Sequence, residues 1–446
     1  MPSADVQVPC TRKPVKKSSL ILWIMGAAQL SEAAFRLAVA WWLLRVTKSP
    51  EAFGSMVAIS NLAMTLSHAF LGWIADRYPR GIVLGFCYAL DFSCAISLLL
   101  MASRDSHHLV IVALVLVLGT IANSVGGPVH TSLAMEGAES AEKQAFIRHR
   151  ASISTASMIV GPLLSSALLA WLDAIVVIAL HAVVLFACML TLLRCALVSA
   201  SHSQNAVETL PSGLRSRLEL VFSGIRLIFR IPAERGLSLQ SMISNMATFP
   251  IFVILVPFIV KSDPRLPIWS IGLCSASFGM GALASSAWLA KRLLISTGRY
   301  SAASISRSIL FASWCAVLAT EVMAAKYIEL AHQLHIMSIL ALLCAGGAFS
   351  ILNIVVSQSR ALATPDSYRN RLISANSALV TATIPVGSYG AGTLLQHVGF
   401  LWTLACAVGL MGVVLMLYWL DSPSRKLLAL PDSELPEAYM TFLKSQ

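Results

Sequence analysis

Twelve stretches of Leu, Ile, Val, Ala and Phe, with scattered Gly, Ser and Thr, recur along the chain. They lie at about 20–44, 53–75, 81–102, 108–129, 147–170, 174–193, 237–260, 268–290, 302–322, 335–358, 373–395 and 399–420. A helix needs about 20 apolar residues to cross the hydrocarbon core of a bilayer. None of the stretches shows the strict alternation that a membrane barrel strand requires. The expected fold is therefore an all-α membrane protein with twelve transmembrane helices. Composition agrees, because 57% of the 446 residues are apolar and only 12% are charged, against roughly 25% charged in a soluble domain. That balance excludes a water-soluble enzyme, whose surface needs charge to stay dispersed, and it excludes a disordered chain.

The net charge of +11 has three readings: nucleic acid, an anionic membrane surface, or loops obeying the positive-inside rule. With the N-terminus placed in the cytoplasm, 25 of the 32 Lys and Arg residues fall in cytoplasmic segments or near the cytoplasmic ends of the stretches, six fall outside and one, Arg36, falls in the middle of a span. The excess charge thus records topology, and no nucleic-acid partner is expected. Residues 1–19 carry Arg12, Lys13, Lys16 and Lys17, and the apolar run that follows continues through Trp42 without a small-residue cleavage site. This reads as an uncleaved first span. Both termini are then cytoplasmic, and the chain is expected in the cell inner (plasma) membrane as a monomer, with the bilayer and a small-molecule substrate as its partners.

The chain divides into a cytoplasmic N-terminal tail (1–19), a six-helix half (20–197), a cytoplasmic linker (198–235), a second six-helix half (236–420) and a cytoplasmic C-terminal tail (421–446). In the linker, Leu218, Phe222, Ile225 and Phe229 share one helical face, opposite Glu219, Ser223, Arg226 and Arg230. An amphipathic helix on the membrane surface fits that pattern, as does a solvated linker helix. The halves also resemble each other. Trp73 to Arg77 matches Trp288 to Arg292, and Gly161 to Leu169 aligns with Gly387 to Leu395, which points to a duplication. Two six-helix halves around a midplane site is the plan of many secondary transporters. No phosphate-cradling G-x-x-x-x-G-K-[ST] loop is present, so an ion gradient is the expected energy source and no cofactor is called for.

Charges inside spans are expensive and mark candidate sites. Glu32 and Arg36 are four residues apart on one face of the first span, where they would pair in a cavity, form a gate, or simply pack helices. Arg36 would equally attract an anionic group. Asp91 in the third span has no local partner in the sequence, and it either binds a coupling proton or bonds a neighbouring hydroxyl. Gln29, Asn61, His68, Asn123, Asn245, Asn353 and Asn376 are uncharged candidates for lining a cavity, although helix-to-helix hydrogen bonding is the commoner fate of such residues. Pro250 and Pro257 predict kinks in the seventh span. The nine Cys residues form no C-x-x-C pair and read as packing residues, with no disulfide framework. The pairs His107-His108 and His332-x-x-His335 fall in expected external loops with no acid or Cys nearby, so no metal site is expected. A membrane-embedded enzyme would need His or carboxylate residues clustered at one depth, and the sequence shows no such cluster.

The segment Gly72-Trp73-Ile74-Ala75-Asp76-Arg77-Tyr78-Pro79-Arg80 resembles motif A of the major facilitator superfamily, G-x-L-A-D-[RK]-x-G-R-[RK], in the loop where that family carries it. Pro79 stands in place of Gly, and Gly81 stands where a second basic residue is common. The resemblance implies that Asp76, Arg77 and Arg80 form a charge relay steadying the outward-facing state, with Gly72 at its start. Gly161-Pro162 resembles the end of the antiporter motif C, G-P-x-x-G-G, with Ser165 and Ser166 in the glycine positions. Leu44 to Leu71 resembles the exporter branch that includes the enterobactin exporter and the macrolide efflux proteins. The resemblance implies a proton-coupled exporter of a small amphiphile, a siderophore or a drug-like compound. An uptake carrier or a lipid-type carrier on the same fold is the alternative.

Overall fold

The computed structural model describes residues 17–71, 74, 78–104, 108–135, 140–199, 214–431 and 433–443. Among these residues the regular structure is helical throughout: α1 (Lys17–Thr47), α2 (Pro50–Phe70), α3 (Arg80–Ser103), α4 (Leu109–Met135), α5 (Ser140–Trp171), α6 (Ala174–Ser199) and α7 (Leu214–Arg230). They are followed by α8 (Pro232–Pro250), α9 (Val256–Ser262), α10 (Trp269–Ala284), α11 (Ala290–Lys326), α12 (Ala331–Ala363), α13 (Asp366–Ala382), α14 (Ile384–Val398), α15 (Phe400–Leu420), α16 (Ser422–Ala429) and α17 (Met440–Leu443).

Ten stretches are long and apolar enough to cross a membrane, against the twelve expected. Two differences account for the gap. Helix α2 occupies the second expected stretch and is not among the ten, because Glu51, Ser55, Asn61 and His68 dilute its apolar content. The eighth and ninth expected stretches merge into one of 58 residues, Trp269–Lys326. Its helical run breaks at Gly298, whose φ of 77° and ψ of 169° suit a residue without a Cβ. Gly399, at φ 82°, separates α14 from α15 in the same way. At Pro250, where a kink is expected, α8 passes into a π turn, Ile251–Leu255, and Pro257 then lies at the start of α9. A Pro cannot donate the backbone bond that a regular helix needs.

Helices α1 to α6 pack on one another, with α1 against α5 and α6, and α3 against α4 and α6. Helices α8 to α15 form a second group through α11 on α12, α10 on α12 and α15 on α8. The two most extensive crossings between the groups are α2 on α14 and α5 on α10. Glycine permits both. A Cβ on Gly54 would lie 2.7 Å from the Cα of Gly392, and one on Gly272 would lie 2.6 Å from the Pro162 carbonyl oxygen. The shared apolar core runs through both groups, from Ala38 and Phe53 to Ile254 and Trp314. Hydrogen bonds also join the groups at the end expected to be external, where the Ser49 hydroxyl donates to Gln396 at 3.3 Å and Lys261 Nζ donates to the Leu44 carbonyl.

Helix α7 differs from its expected face. Leu227, Ile228 and Ile231 are buried beside Leu372 and Ala375 of α13, whereas Phe222 and Phe229 stay exposed. The apolar surface is thus split between a docked edge and a free edge. The C-terminal segment, expected to be a tail, also packs: Leu435 and Tyr439 are buried against the start of α8 and the end of α12.

Candidate functional site

Helix α1 presents Gln29, Glu32 and Arg36 at spacings of three and four residues, which places them on one face. Arg36 Nε donates to Glu32 Oε1 at 2.6 Å. Helices α3, α4 and α6 bring three more polar groups to the same place. Asn123 Nδ2 donates to Asp91 Oδ2 at 3.1 Å, and His181 Nε2 lies 3.5 Å from Glu32 Oε2 and 3.9 Å from Asp91 Oδ2. The imidazole, only 1% exposed, stacks on Phe35 at 4.3 Å.

The Ser31 hydroxyl lies 3.1 Å from the Ala28 carbonyl oxygen and 3.0 Å from His181 Nδ1, which ties the imidazole of α6 to α1. Its Nε2 faces the two carboxylate oxygens. Among the described residues neither His181 Nε2 nor Glu32 Oε2 has a hydrogen-bond partner, while Asp91 Oδ2 accepts from Asn123. A proton shared between the imidazole and the carboxylates would be held at this point. The Asn123 amide and the half-exposed Arg36, at 58%, complete the site.

One sequence expectation is corrected here: acid and His residues do cluster, Glu32, Asp91 and His181 being brought together from three helices. Asp91, without a partner nearby in sequence, bonds to Asn123 of α4. The sequence reading missed His181, a lone His inside the apolar run from Ile175 to Phe186. The rule that flags ionisable residues within spans would have found it.

A second buried polar region lies among α8, α11, α12, α13 and α15 as a cavity of about 270 Å³. Of the polar candidates, Asn245, Asn353 and Asn376 line it. Gln29 and Asn61 do not: Asn61 Nδ2 donates to the Val57 carbonyl of its own helix at 2.8 Å, and Gln29 Oε1 is buried without a partner. The cavity is also lined by Gln240, Arg307 and Arg360, which the sequence reading counted only as loop charge or not at all. Arg360 Nε donates at 2.9 Å to Glu234, which is 0% exposed. Tyr439 completes that pair from the C-terminal segment, its hydroxyl donating to Glu234 Oε1 at 2.6 Å. Burial, with Glu234 beside it, pushes the Tyr439 hydroxyl well above its ordinary pKa.

Gly161, of the motif C-like pair, packs against α1, where an added Cβ would lie 3.3 Å from Ala34 N. Pro162 lies inside α5. Of the motif A residues, Arg80 begins α3, while Gly72, Asp76 and Arg77 lie outside the described residues. The expectation that His335 has no acid near it is also corrected, because its Nδ1 lies 3.2 Å from Glu321 Oε1. In the adjoining loop, Arg265 Nε donates to Asp263 at 2.8 Å, which holds that carboxyl below its ordinary pKa.

The sequence model described as Major Facilitator Superfamily matches residues 21–327. The chain belongs to the major facilitator superfamily. It is accordingly a multi-pass membrane transporter and not an enzyme, of a kind that typically needs no cofactor. Among solved structures it is similar to a bacterial homologue of the iron transporter ferroportin in its inward-facing state, with 16% identity, a TM-score of 0.70 and coverage of 94% of this chain and 100% of that one. It is also similar to the nucleoside transporter NupG (13% identity, TM-score 0.65, 90% and 98% covered) and to a D-xylose-proton symporter (12%, 0.66, 93% and 99%). At these identities the likeness shows the fold. No protein of curated function matches the chain.

Proposed function

We propose that this protein is a proton-coupled exporter of a small amphiphilic molecule, such as a siderophore or drug-like compound, built from twelve spans in two six-helix halves. The observation that carries the coupling is the convergence of Glu32, Asp91 and His181, with His181 Nε2 and Glu32 Oε2 buried and unpartnered among the described residues. A site of this kind holds a proton in one conformation and releases it in another. The half-exposed Arg36 supplies the change, because its ion pair with Glu32 competes with the proton for the same carboxylate. The two-half plan is supported by the crossings α2 on α14 and α5 on α10, which relate the second and eleventh expected spans as they do the fifth and eighth. It is supported too by the aligned glycines: Gly161 lets α5 approach α1, and Gly387 lets α14 approach α8. Contacts concentrated at the expected external end support an inward-open arrangement, to be steadied in the opposite state by Asp76, Arg77 and Arg80.

A second reading rests on the donor set itself. One ligand atom from each of Glu32, Asp91 and His181 lies within 4.8 Å of the others, a mixed nitrogen and oxygen set that suits a small divalent transition metal. Arg36 beside Glu32 opposes an added cation, which is why the proton reading is preferred.

The test uses energised everted vesicles in which internal acidification quenches a fluorescent amine. Adding a catecholate siderophore or a macrolide should release protons and restore fluorescence with the wild type and not with Asp91→Asn. Fluorescence restored by manganese alone would favour the metal reading, and fluorescence restored by no candidate would overturn proton-coupled export of these compounds.

A further inference from the structure

Two arginines line the 270 Å³ cavity among α8, α11, α12, α13 and α15, and only one has its charge matched. Arg360 is paired with Glu234 and also donates to the Ser238 hydroxyl at 3.2 Å. Arg307 has no carboxylate within 4.0 Å among the described residues, although it is only 4% exposed. Its Nη2 donates to Gln240 Oε1 at 2.7 Å, and its guanidinium lies 4.0 Å from the centre of the Tyr418 ring. Its Nε and Nη1 have no hydrogen-bond partner among the described residues. Gln240 in turn donates through Nε2 to Asp421 Oδ2 at 3.4 Å.

A sealed guanidinium with two unused donors is expensive, and buried charges are ordinarily paired and hydrogen-bonded. A purely structural arginine would sit as Arg360 does, on a carboxylate. The remaining lining fits an amphiphile. Asn245, Asn353 and Asn376 add neutral polar groups, while Leu310, Phe311 and Met411 are apolar. The volume lies just under the roughly 300–1,000 Å³ of small-molecule sites, so the ligand is small or places only its head in the cavity.

We infer that this cavity is an anion-binding site in which Arg307 takes a carboxylate or phosphate monoester head whose apolar tail rests against Leu310, Phe311 and Met411. The guanidinium donates through Nε and Nη1, and Gln240 holds the third nitrogen so that the planar group is fixed before the ligand arrives. The site lies wholly in the C-terminal helices, and binding to it requires no proton gradient.

The experiment is calorimetric titration of the full chain in phosphatidylcholine nanodiscs with octanoate, octyl phosphate, octanol and inorganic phosphate. At least one of the two anionic amphiphiles should bind about tenfold or more tightly than octanol, as loss of a charge-assisted hydrogen bond predicts, and the stronger one identifies the head. Inorganic phosphate, lacking the tail, should bind more weakly than octyl phosphate. Arg307→Gln should reduce the favoured anion to the affinity of octanol. Should that variant fail to fold, Val380→Trp fills the cavity with Arg307 intact and should abolish anion binding. Octanol binding as tightly as both anions, no binding of either anion, or anion affinity unchanged in both variants would overturn the assignment.

Discussion

In the N-terminal helices, two carboxylates and an imidazole share a site with an arginine that is 58% exposed. In the C-terminal helices, an arginine that is 4% exposed sits over a tyrosine ring, with no carboxylate within 4.0 Å among the described residues. On the proposed reading the first cluster takes a proton and the second takes an anion. Carboxylates and imidazole are groups whose charge changes with protonation, whereas a guanidinium keeps its charge. On that reading the response to a proton gradient belongs to the first site and the holding of a ligand to the second. The supporting contacts follow the same division: Glu234, Arg360 and Tyr439 form a closed, satisfied network beside the fixed-charge cavity.

The largest expected effect tests that asymmetry through stability. Glu234→Ala strands Arg360 and Tyr439 in a buried setting and should cost about 3–5 kcal/mol, measured by unfolding in detergent. Glu32→Ala removes the partner of Arg36, which at 58% exposure is far less enclosed than Arg360, and should cost less. Equal losses would erase the contrast between the two regions. Next in size is the crossing that joins them. Gly392→Ala places a Cβ 2.8 Å from the Gly54 Cα and should cost about 1–3 kcal/mol by overpacking. Gly390→Ala, where nothing lies within 4 Å of the new Cβ, should stay within about 0.5 kcal/mol, and a thermal scan of both checks the close approach.

The smallest effect lies in the loop after α9. Because Arg265 holds the Asp263 carboxyl below its ordinary pKa, the pair stabilises the fold above about pH 3.9 and loses that contribution as pH falls through the native value. Arg265 is 45% exposed, so Asp263→Asn should cost less than about 1 kcal/mol at neutral pH. The difference from wild type should shrink on acidification, read from paired melting curves.

Much of this arrangement is legible in residue order. The apolar stretches place most of the helices, Pro250 marks the π turn, and the i, i+4 spacing of Glu32 and Arg36 gives their ion pair. What is not legible comes from packing between helices distant in sequence. Asp91 looks solitary because Asn123 and His181 reach it from α4 and α6. Arg307 counts with the cytoplasmic charge because it stands near the start of the ninth expected stretch, yet after the break at Gly298 helix α11 carries it to the cavity at 4% exposure. The linker pattern placed Phe222 and Phe229 on a common apolar face, but Leu227 and Ile228 are the residues that dock. Periodicity shows that a helix has an apolar side and not which part of it a neighbour will cover.

The division between a titrating site and a ligand site is tested most directly in proteoliposomes by comparing transport driven by an imposed pH gradient with exchange of labelled for unlabelled substrate in the absence of a gradient. The substrate is the compound that releases protons in everted vesicles. Asp91→Asn should exchange substrate at close to the wild-type rate while losing gradient-driven accumulation, about tenfold per pH unit for one proton per cycle. Gradient-driven accumulation that survives in Asp91→Asn would contradict the account.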